Sequence, residues 1–371
     1  MRILVLNAGS SSLKGSLIEL PGETTVTSVE AERVSGGEGD AARRAVADLL
    51  DALGDEAHTP DAVGHRVVHG GTRFVAPVRV DADVLATIRG LATLAPLHNT
   101  MAADTIAASS ELVDAVPQVA CFDTAFHATL PREAIVYPLP WSWYAEWGVR
   151  RYGFHGLSVA WSVRRAADLL GAAPGELRLV VAHLGNGCSV TAVDGDRSID
   201  TSMGYTPLEG IMMASRSGSV DPGILLAALR DRGLSPEALA DVLDHQSGLH
   251  GLSGVAGGAR AVEEAAAVGD ERSVLALAVF ARSAAAGIAA AAISLPALDA
   301  LVFTGGIGAN SVRLRADILA RLPTLGVPAQ VSVAGAGDAV LADGPPAVLR
   351  VTAREDLVIA AEVERLVTAR G

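Results

Sequence analysis

Cysteine and positive charge are both scarce in this chain of 371 residues. Its two cysteines, Cys121 and Cys188, lie far apart, which argues against a disulfide framework and against a cysteine-rich zinc site. This usage is typical of a reducing compartment, so we expect a cytoplasmic protein. Acidic residues (42) outnumber Lys and Arg (29), and the formal net charge is −13. That balance argues against nucleic acid or an anionic membrane as the main partner, and an anionic substrate would need a local basic pocket.

Long apolar segments and several well-known motifs are also missing. The apolar start, Ile3 to Leu6, is too short for the hydrophobic region of a signal peptide, and Asn7 interrupts it. The longest uncharged run, Ser283 to Leu298, is mostly alanine and contains Pro296, which predicts a buried packing helix rather than a membrane span. The sequence has no Walker A loop, GxGxxG fingerprint, HExxH or EF-hand pattern.

The chain does contain alternating strand-type and helix-type segments, on a length that predicts two domains. This alternation is typical of an α/β fold. The predicted strands are Ile3–Leu6, Lys14–Leu20, Ala62–Val68, Val116–Phe122, Leu179–Ala182, Ser189–Val193, Leu301–Thr304 and Val348–Val351. The predicted helices are Asp40–Leu53, Ala82–Leu94, Thr100–Glu111, Ser158–Leu170, Ile224–Arg232, Pro236–Gln246, Arg260–Ala267 and Ser273–Ile293. Leu130–Trp147 is predicted as a connection between domains, and Gly251–Ala259 as a glycine-rich loop.

The first predicted strand runs into a loop with the composition of an anion-binding site. Residues 7–14 read NAGSSSLK, and a second strand-like run follows. The backbone N–H groups and hydroxyls of such a turn can bind phosphate. Lys14 adds a positive charge, and Asn7 offers an oxygen to a hard cation such as Mg²⁺. An ordinary hairpin with a serine-rich turn explains this segment equally well on its own.

Two later segments repeat the strand-then-glycine arrangement. Residues 179–194 read LVVAHLGNGCSVTAVD, and His183 stands where Asn7 stands in the first hairpin. A third loop, TGGIGANS, begins at Thr304 after another apolar run. The match between the first two segments is short. Three such loops in one chain nevertheless favour two halves that face a shared nucleotide cleft.

Two motifs place charged groups at the ends of predicted strands. Arg66, in GHRVVHGG, can grip a carboxylate with two hydrogen bonds, although a surface salt bridge is the commoner role of a single Arg. The adjacent Gly70 and Gly71 indicate close backbone approach. Asp123, in FDTAFH, suits a metal, water or base position, although capping of the following turn explains it as simply.

Two glycine-containing loops carry further cationic groups. His155 lies in RRYGFHG, between glycines that give it little core to pack in, which favours a side chain that faces a ligand. Arg216 lies in SRSGSVDP, a Ser/Gly turn of the anion-binding type. Together with Arg66 and Lys14, these groups can neutralise two anionic reactants. Phosphoryl transfer depends mainly on such positioning and charge stabilisation.

These motifs together resemble those of the acetate kinases, the acetokinase group of the actin–hexokinase–sugar kinase superfamily. The resemblance runs nearly from end to end. Its motifs are NAGSSSLK, GHRVVHGG, APLHN, FDTAFH, RRYGFHG, HLGNG, TSMGYTPLEG, SRSGSVDPG, FTGGIGANS and AREDLVIA. The implied fold class is α/β, with two duplicated actin/hexokinase-like domains around a central nucleotide cleft. The implied domains are residues 1–127 together with a C-terminal helix, 357–371, and residues 128–356.

The resemblance also implies a role for each matching residue. The implied catalytic residues are Asp123, His155, Arg216 and Arg66. Arg66 would bind the acetate carboxylate, Asp123 would orient the metal or its water, and the other two would stabilise the in-line transition state. The implied metal ligands are Asn7 and Glu355, for Mg²⁺ or for Mn²⁺ in its place.

The implied binding residues line two sites. The nucleotide and its phosphates would contact Lys14, Ser10, Ser12, His183, Leu184, Gly185, Asn186, Gly187, Gly258, Ala259, Arg260, Gly306, Ile307, Gly308, Ala309 and Asn310. The substrate methyl group would lie against Val68, Leu97, Phe154 and Pro207. The implied small-molecule partners are ATP or ADP and acetate or acetyl phosphate, the implied assembly is a homodimer, and neither nucleic acid nor a membrane is expected.

The chain departs from the family pattern at four motifs. The adenosine loop usually has Asp two residues before an Arg, and here Gly258 stands in that place. The usual GIGEN reads GIGAN, with Ala309. The usual FHGTSH reads FHGLSV from Phe154, and the Pro that usually follows PLHN is Thr100. None of these changes removes a residue implied in the chemistry, but the first two leave the nucleotide preference open.

The resemblance implies a reversible, Mg²⁺-dependent transfer of a phosphoryl group from ATP to acetate, giving acetyl phosphate and ADP. A propionate or butyrate kinase of the same family is the near alternative. A non-catalytic binding protein or filament subunit of the actin superfamily is an alternative of another class. Retention of Arg66, Asp123, His155, Arg216 and Glu355 speaks against it, because a binding module needs no second anion site.

Overall fold

The structure, a computed structural model, describes residues 1–9, 12–32, 40–113, 116–173, 175–332 and 335–369. Within these ranges, the side chains of Glu32, Asp40, Pro96 and Leu97 are not described. The chain divides into two compact units. Unit 1 contains Met1–Ala128, Phe154–Leu157 and Arg354–Gly371, and unit 2 contains Thr129–Gly153 and Ser158–Ala353.

Unit 1 is built on a six-stranded mixed sheet. Its strands are β1 (Arg2–Ala8), β2 (Ser12–Glu19), β3 (Thr24–Glu32), β4 (Ala62–Val67), β5 (Val78–Arg79) and β6 (Gln118–Phe122). Its helices are α1 (Asp40–Leu53), α2 (Ala82–Gly90), α3 (Pro96–Leu112) and the last helix of the chain, α14 (Glu355–Thr368). Short 3₁₀ turns cover Asp55–His58, Leu91–Thr93 and, at the end of the first segment, Ala125–Thr129.

Unit 2 contains a second six-stranded sheet. Its strands are β7 (Arg178–Leu184), β8 (Cys188–Asp194), β9 (Arg197–Thr201), β10 (Ala300–Thr304), β11 (Ala339–Ala342) and β12 (Ala347–Arg350). Its helices are α4 (Arg132–Ile135), α5 (Trp141–Ala145), α6 (Gly156–Leu170), α7 (Pro222–Asp231), α8 (Pro236–His245), α9 (Gly248–Ser253), α10 (Gly258–Ala267), α11 (Glu271–Ala292), α12 (Gly305–Asn310) and α13 (Val312–Leu319), with a 3₁₀ turn at Pro323–Leu325. The first two residues of α6 belong to unit 1.

The two sheets share one topology. The strand order is β3-β2-β1-β4-β6-β5 in the first and β9-β8-β7-β10-β12-β11 in the second. In both, an antiparallel hairpin has a third antiparallel strand on one side and two parallel strands with an antiparallel edge strand on the other. The β1–β2 hairpin therefore corresponds to the β7–β8 hairpin, as the short match of Asn7 with His183 predicts.

Both faces of the first sheet are covered by helices. On one face, α1 presents Val46, Leu49, Leu50 and Leu53 at helical spacing, and all four are buried in one apolar cluster with Leu4. On the other face lies α14. A Cβ atom at Gly64 would lie 2.5 Å from Ile359 Cγ2 and 2.8 Å from Val363 Cγ2. Only glycine lets α14 approach β4 this closely.

Side chains cap the starts of several helices. The Ser235–Pro236 pair begins α8, and the Ser235 side chain accepts a hydrogen bond from Ala238 N at 3.1 Å. Asp81, Asp221, Asp270 and Ser311 cap α2, α7, α11 and α13 in the same way. Each cap satisfies a backbone N–H that the helix itself leaves without a partner.

Several sequence predictions were wrong in detail. The predicted loop at 304–311 contains the helix α12, and the predicted loop at 251–259 is bounded by α9 and α10, which extend into it. The segment 130–147, predicted as a connection between domains, contains the helices α4 and α5. The strands β3, β5, β9 and β11 were not predicted, because each is short, polar or at the outer part of a sheet.

The uncharged segment at 283–298 forms the last part of α11 and continues beyond the end of the helix, past Pro296. One face of α11 is buried, including Leu277, Phe280 and Ile288, and the helix packs on β7 and β8. Its opposite face exposes Leu275, and Ile293 within the predicted segment is 83% exposed, so that segment is less buried than predicted. Among the described residues, α11 is the one helix long and apolar enough to cross a membrane, and its packing on the sheet makes that weak evidence for a span.

We predict that Gly64→Ala destabilises the protein by about 1–3 kcal/mol, because the added methyl group must displace Ile359 or Val363. Gly90→Ala is the matched control, since no heavy atom lies within 4 Å of a Cβ atom there and Gly90 ends α2. The control should change stability by less than about 1 kcal/mol, in the stabilising direction. Thermal and urea midpoints measure both, and an unchanged midpoint for Gly64→Ala would contradict the tight packing of α14.

Candidate active site

In unit 1, the carboxyl ends of β1, β4 and β6 bring three of the predicted residues together. Asn7 in β1 pairs in register with Arg66 in β4, and Asp123 follows directly after β6. Because β1, β4 and β6 are parallel, their carboxyl ends share one edge of the sheet, where α/β proteins place ligands. Asp123 N donates to Val67 O at 3.0 Å, which fixes the carboxylate beside the end of β4.

Arg66 is the centre of this group. Its Nε donates to Asp123 Oδ1 at 3.0 Å and its Nη2 to Asp123 Oδ2 at 2.6 Å, so the two side chains form a two-pronged ion pair. Its Nη1 donates to Asn7 Oδ1 at 3.2 Å, and its Nε lies 3.5 Å from Glu355 Oε2. The sequence predicted each of these residues separately, and the structure shows that one guanidinium joins them.

Burial decides how this charge group behaves. The side chain of Asp123 is 1% exposed and that of Arg66 is 18% exposed. Burial opposes the charge on Arg66, but Asp123 and then Glu355 outweigh it, and the pKa of Arg66 is raised above its ordinary value. The guanidinium is therefore a fixed positive charge, and removing it would leave the buried Asp123 carboxylate without compensation.

The oxygen atoms around Arg66 have the chemistry of a Mg²⁺ site. Asn7 offers an amide oxygen, and Asp123 and Glu355 offer carboxylates, so the group carries a net charge of −1 with Arg66 included. Mg²⁺ prefers oxygen ligands and commonly uses one or two carboxylates while phosphates and water fill its other positions. Within the described ranges, no cluster of three or more His, Cys, Asp and Glu side chains is arranged as a metal site. The residues therefore fit a sparse set of oxygen ligands for Mg²⁺.

Backbone contacts bring His155 to the same edge. Gly156 N donates to Asp123 O at 2.9 Å, and a Cβ atom at Gly156 would lie 2.2 Å from that oxygen. His155 itself has a φ of 60°, in the left-handed region that non-glycine residues rarely adopt. Such a conformation costs on the order of 1–3 kcal/mol and occurs mostly at functional sites.

The predicted apolar pocket is partly described in unit 1. Phe154 is 1% exposed, and His127 Nε2 donates to Phe154 O at 2.9 Å. Burial lowers the pKa of His127 to about 4, so the ring is neutral and the contact to a carbonyl oxygen assigns its proton to Nε2. The His69 ring meets the Phe154 ring edge-on, with 5.4 Å between the ring centres. Val68, which precedes His69 in the chain, is also buried. The side chain of Leu97 lies outside the described part, and Pro207 belongs to unit 2.

Lys14 and Ser12 are engaged by a carboxylate that the sequence did not suggest. Ser12 Oγ donates to Glu30 Oε1 at 2.8 Å, and Lys14 Nζ lies 3.0 Å from Glu30 Oε2. Hydrogen bonds from Lys14 and then Ser12 lower the pKa of Glu30. The Glu30 carboxylate thus occupies the kind of anion position that the predicted phosphate contact requires. Ser10, the third predicted phosphate contact here, lies outside the described residues.

In unit 2, the turn of the β7–β8 hairpin meets the start of α12. Gly185 N donates to Gly187 O at 3.0 Å, and Ser158 Oγ lies 2.8 Å from His183 Nδ1. Gly305 has a φ of 77°, and a Cβ atom there would lie 2.6 Å from Leu184 O. These contacts bring the predicted loops HLGNG and GGIGAN together with glycine backbone facing glycine backbone.

Arg216 lies beside the same turn. Ala214 N donates to Asn186 O at 3.3 Å, and Arg216 Nη1 donates to Pro207 O at 3.3 Å. Arg216 Nε lies 3.8 Å from Asp244 Oδ1, a long ion pair. Burial lowers the pKa of Arg216, and Asp244 partly offsets it. The guanidinium therefore has weak partners compared with Arg66, which suits a group that meets a phosphoryl oxygen.

The structure also shows the surroundings of the two loops in which the chain departs from the family pattern for adenosine binding. Gly258 begins α10 with a φ of 75°, and a Cβ atom there would meet only Asn186 Oδ1, at 3.9 Å. Arg260 is exposed and pairs with Glu264. Asn310 Nδ2 donates to Gly306 O at 2.8 Å, and the buried Arg315 donates to Gly308 O and Ala309 O at 2.8 Å. Sequence patterns gave no sign of Arg315, which holds the carbonyl end of α12.

The predicted residues thus form two groups, one in each unit. Unit 1 holds Asn7, Ser12, Lys14, Arg66, Val68, Asp123, Phe154, His155 and Glu355. Unit 2 holds His183, Leu184, Gly185, Asn186, Gly187, Pro207, Arg216, Gly258, Ala259, Arg260, Gly306, Ile307, Gly308, Ala309 and Asn310. The roles assigned to them stay predictions, as do the domain boundaries.

Comparison with known proteins places this chain among kinases. The sequence model of the Acetokinase family matches residues 2–361. The acetate kinase of Deinococcus deserti is 46% identical over 397 positions, covering 100% of this chain and 99% of that protein. The solved structure of Porphyromonas gingivalis acetate kinase has a TM-score of 0.88 at 32% identity and covers 99% of this chain and 100% of its own. A propionate kinase from Francisella tularensis subsp. tularensis has a TM-score of 0.86 at 34% identity, covering 98% and 99%.

The repeated sheet topology and these structural matches confirm the predicted fold class, two duplicated actin/hexokinase-like domains of α/β type. The full-length matches define the chain as a kinase of that fold. It belongs to the Acetokinase family.

Proposed function

We propose that the protein is an acetate kinase, which transfers the γ-phosphoryl group of ATP to acetate and catalyses the reverse reaction. Family membership and the relatives named acetate kinase support this reading. The observation that carries it is the group around Arg66, because a fixed guanidinium with Asp123, Asn7 and Glu355 combines a carboxylate-binding cation with hard oxygen ligands. A cytoplasmic location and a homodimeric assembly belong to the same proposal.

In this proposal, each unit supplies one part of the chemistry. Arg66 exchanges some of its hydrogen bonds for the carboxylate of acetate, and Asp123 keeps it oriented. Arg216 binds an oxygen of the transferring phosphoryl group, where charge develops in the transition state. The start of α12 and the N–H groups of the turn 185–187 other than that of Gly185, which bonds to Gly187 O, hold the nucleotide. Mg²⁺, held by Asn7 and Glu355, would neutralise charge on the ATP phosphates.

The acceptor decides between acetate kinase and the propionate kinase alternative, which the similarity to the Francisella protein keeps open. Val68 and Phe154 are buried, and the β-branched Val68 is stiff. One added methylene on the acceptor should therefore cost about 1–3 kcal/mol of discrimination. We expect acetate to be the best acceptor, propionate to be poorer and butyrate poorer still.

A hydroxamate assay with ATP, Mg²⁺ and each acid measures this order directly. Val68→Ala should narrow the gap between acetate and propionate, because it removes the rigid wall of the pocket. Val67→Ala is the matched control. Val67 is buried in an apolar cluster on the face of the sheet opposite to Val68, so the variant should leave the ratio of acetate to propionate use unchanged. Equal kcat/KM for all three acids in the wild type would reject the acetate assignment.

The two arginines should differ in their kinetic effects. Arg66→Ala should raise the KM for acetate as well as lower kcat, because it removes the carboxylate contact and leaves the buried Asp123 without its partner. Arg216→Ala should mainly lower kcat, by roughly 10²-fold or more, because its contact forms in the transition state. Steady-state kinetics with acetate varied at saturating ATP separate the two. Near-normal kcat in both variants would show that the site lies elsewhere.

Nucleotide choice should be relaxed. Gly258 and Ala309 stand where the family pattern has Asp and Glu, so two polar side chains that could read the adenosine are gone. We predict that GTP and ITP are used within about tenfold of ATP, equivalent to roughly 1.4 kcal/mol. Measured kcat/KM values for the three nucleotides test this, and strong ATP selectivity would contradict it.

Two variants test whether the missing carboxylates are the cause. Gly258→Asp has room, but its φ of 75° puts Asp in the left-handed region, which Asp tolerates at some cost. Ala309→Glu lies within α12, where no such strain arises, and is therefore the cleaner test. Either variant should sharpen the preference for ATP. If neither variant changes the preference for ATP, residues other than Gly258 and Ala309 determine the nucleotide preference.

A further inference from the structure

A partly buried polar network supports the loop that holds Arg216 in unit 2. The loop 202–210, which we call the clamp loop, begins directly after β9 and contains Pro207, whose carbonyl oxygen accepts the hydrogen bond from Arg216. Its far end is fixed by Gly210, which exchanges two hydrogen bonds with Ser219: Ser219 N donates to Gly210 O at 2.8 Å and Gly210 N to Ser219 Oγ at 3.0 Å.

Glu209, the last side chain of the clamp loop before Gly210, is the acceptor at the centre of this network. Its Oε2 accepts a short hydrogen bond from Tyr137 Oη, and its Oε1 accepts one from Arg151 Nη2 at 2.9 Å. Tyr137 Oη in turn accepts from Tyr205 N, at 2.9 Å, within the clamp loop. Burial raises the pKa of Tyr137, so its hydroxyl remains a donor. The Tyr137 hydroxyl therefore contacts two points of the clamp loop, the Glu209 carboxylate and the backbone of Tyr205.

Arg151 completes the support from the other side. Its Nη1 donates to Ser202 O at 3.2 Å and to Met203 O at 3.0 Å, and its guanidinium lies 5.3 Å from the centre of the Tyr137 ring. Its side chain is 17% exposed, and the Glu209 carboxylate is its acidic partner at 2.9 Å. The start and the end of the clamp loop are thus joined through one Arg–Glu pair.

The backbone is shaped to admit this network. A Cβ atom at Gly204 would lie 1.6 Å from Glu209 Oε2 and 2.0 Å from Tyr137 Oη, so any larger residue would push the two apart. Gly204 O also accepts from Tyr152 N at 3.0 Å. The contact between Glu209 and Tyr137 therefore depends on a glycine at this position, which indicates a built arrangement rather than a chance surface pair.

We propose that Glu209 is a positioning residue for phosphoryl transfer, which acts through the clamp loop on Arg216. Glu209 lies two residues after Pro207, so the pair with Arg151 and the bond from Tyr137 set where the Pro207 carbonyl stands. That carbonyl accepts from Arg216 Nη1 at 3.3 Å, and the weaker contact with Asp244 at 3.8 Å cannot orient the guanidinium alone. The inference rests on the proposed function, since it takes Arg216 as the group that meets the phosphoryl oxygen.

The test is a double-mutant cycle on the full-length protein with ATP and acetate. Glu209→Gln keeps the size of the side chain and removes its charge, so that an amide faces Arg151. It should lower kcat about tenfold or more while the KM for ATP changes less than threefold. In an Arg216→Ala background, which has no side-chain donor for Pro207 O, the same substitution should cost less than twofold more. Tyr137→Phe should give a smaller loss of kcat, because the Arg151–Glu209 pair remains.

Asp299→Asn is the matched control. Asp299 forms a two-pronged ion pair with Arg178 in the same unit, at 2.8 Å on each oxygen, and it has no part in the clamp loop. It should lower the thermal midpoint without changing kcat or KM. A role of Glu209 that is only structural would lower the thermal midpoint as this control does, and any effect on kcat would add in full to that of Arg216→Ala.

The outcomes separate this inference from the proposed function. A wild type without acetate-dependent turnover refutes both. An active wild type with normal kcat in Glu209→Gln, or with full additivity in the cycle, refutes the positioning role alone. If Glu209→Gln does not fold, Tyr137→Phe in the same cycle tests the positioning role instead, because it removes the Tyr137 hydroxyl that also supports the clamp loop.

Discussion

The ion pair between Arg66 and Asp123 is the interaction on which the carboxyl edge of the first sheet depends. The guanidinium stands on β4, its fork holds the carboxylate that follows β6, and its remaining nitrogen reaches Asn7 in β1. Its approach to Glu355 adds the start of α14. One side chain therefore links three strand ends and a helix. Because Asp123 is almost fully buried, Arg66 cannot be removed without leaving that carboxylate uncompensated.

The duplicated topology gives the second unit the same edge with different chemistry. In the first sheet Asn7 pairs in register with Arg66. In the second sheet His183, the counterpart of Asn7, pairs in register with Thr304. Glycines follow it, and close backbone approach at Gly305 replaces the charged fork. One sheet thus presents fixed charges and side-chain oxygens at this edge, whereas the other presents glycine backbone.

Sequence patterns predicted the larger part of the fold because its central strands are apolar and its longer helices are capped and periodic. Asp40–Leu53 was predicted to the residue, and the helix predicted to begin at Pro236 does begin there. The outer strands β3 and β9 were missed because they carry polar residues, and only pairing with β2 and β8 makes them strands. The GGIGAN segment was predicted as a loop because glycine disfavours helices, yet six residues there form α12.

The candidate site was predictable as a set of residues but not as an arrangement. Arg66 and Asp123 were identified from separate motifs, and nothing in the sequence showed that they form one ion pair. Glu30 and Glu209 were not identified, because each acts through partners that are distant in the chain. The nearest signal was the Gly204 to Glu209 spacing within TSMGYTPLEG, which has no meaning until Tyr137 is placed beside it.

Transfer of a phosphoryl group between ATP and a small carboxylate can be followed by ³¹P NMR of the purified protein with ATP, Mg²⁺ and acetate. We expect an acetyl phosphate resonance that grows as the γ-phosphate resonance of ATP declines, in equal amounts. We also expect ATP formation when the same protein is given acetyl phosphate and ADP. Release of inorganic phosphate at a rate independent of acetate, with no acetyl phosphate formed, would contradict the proposed function.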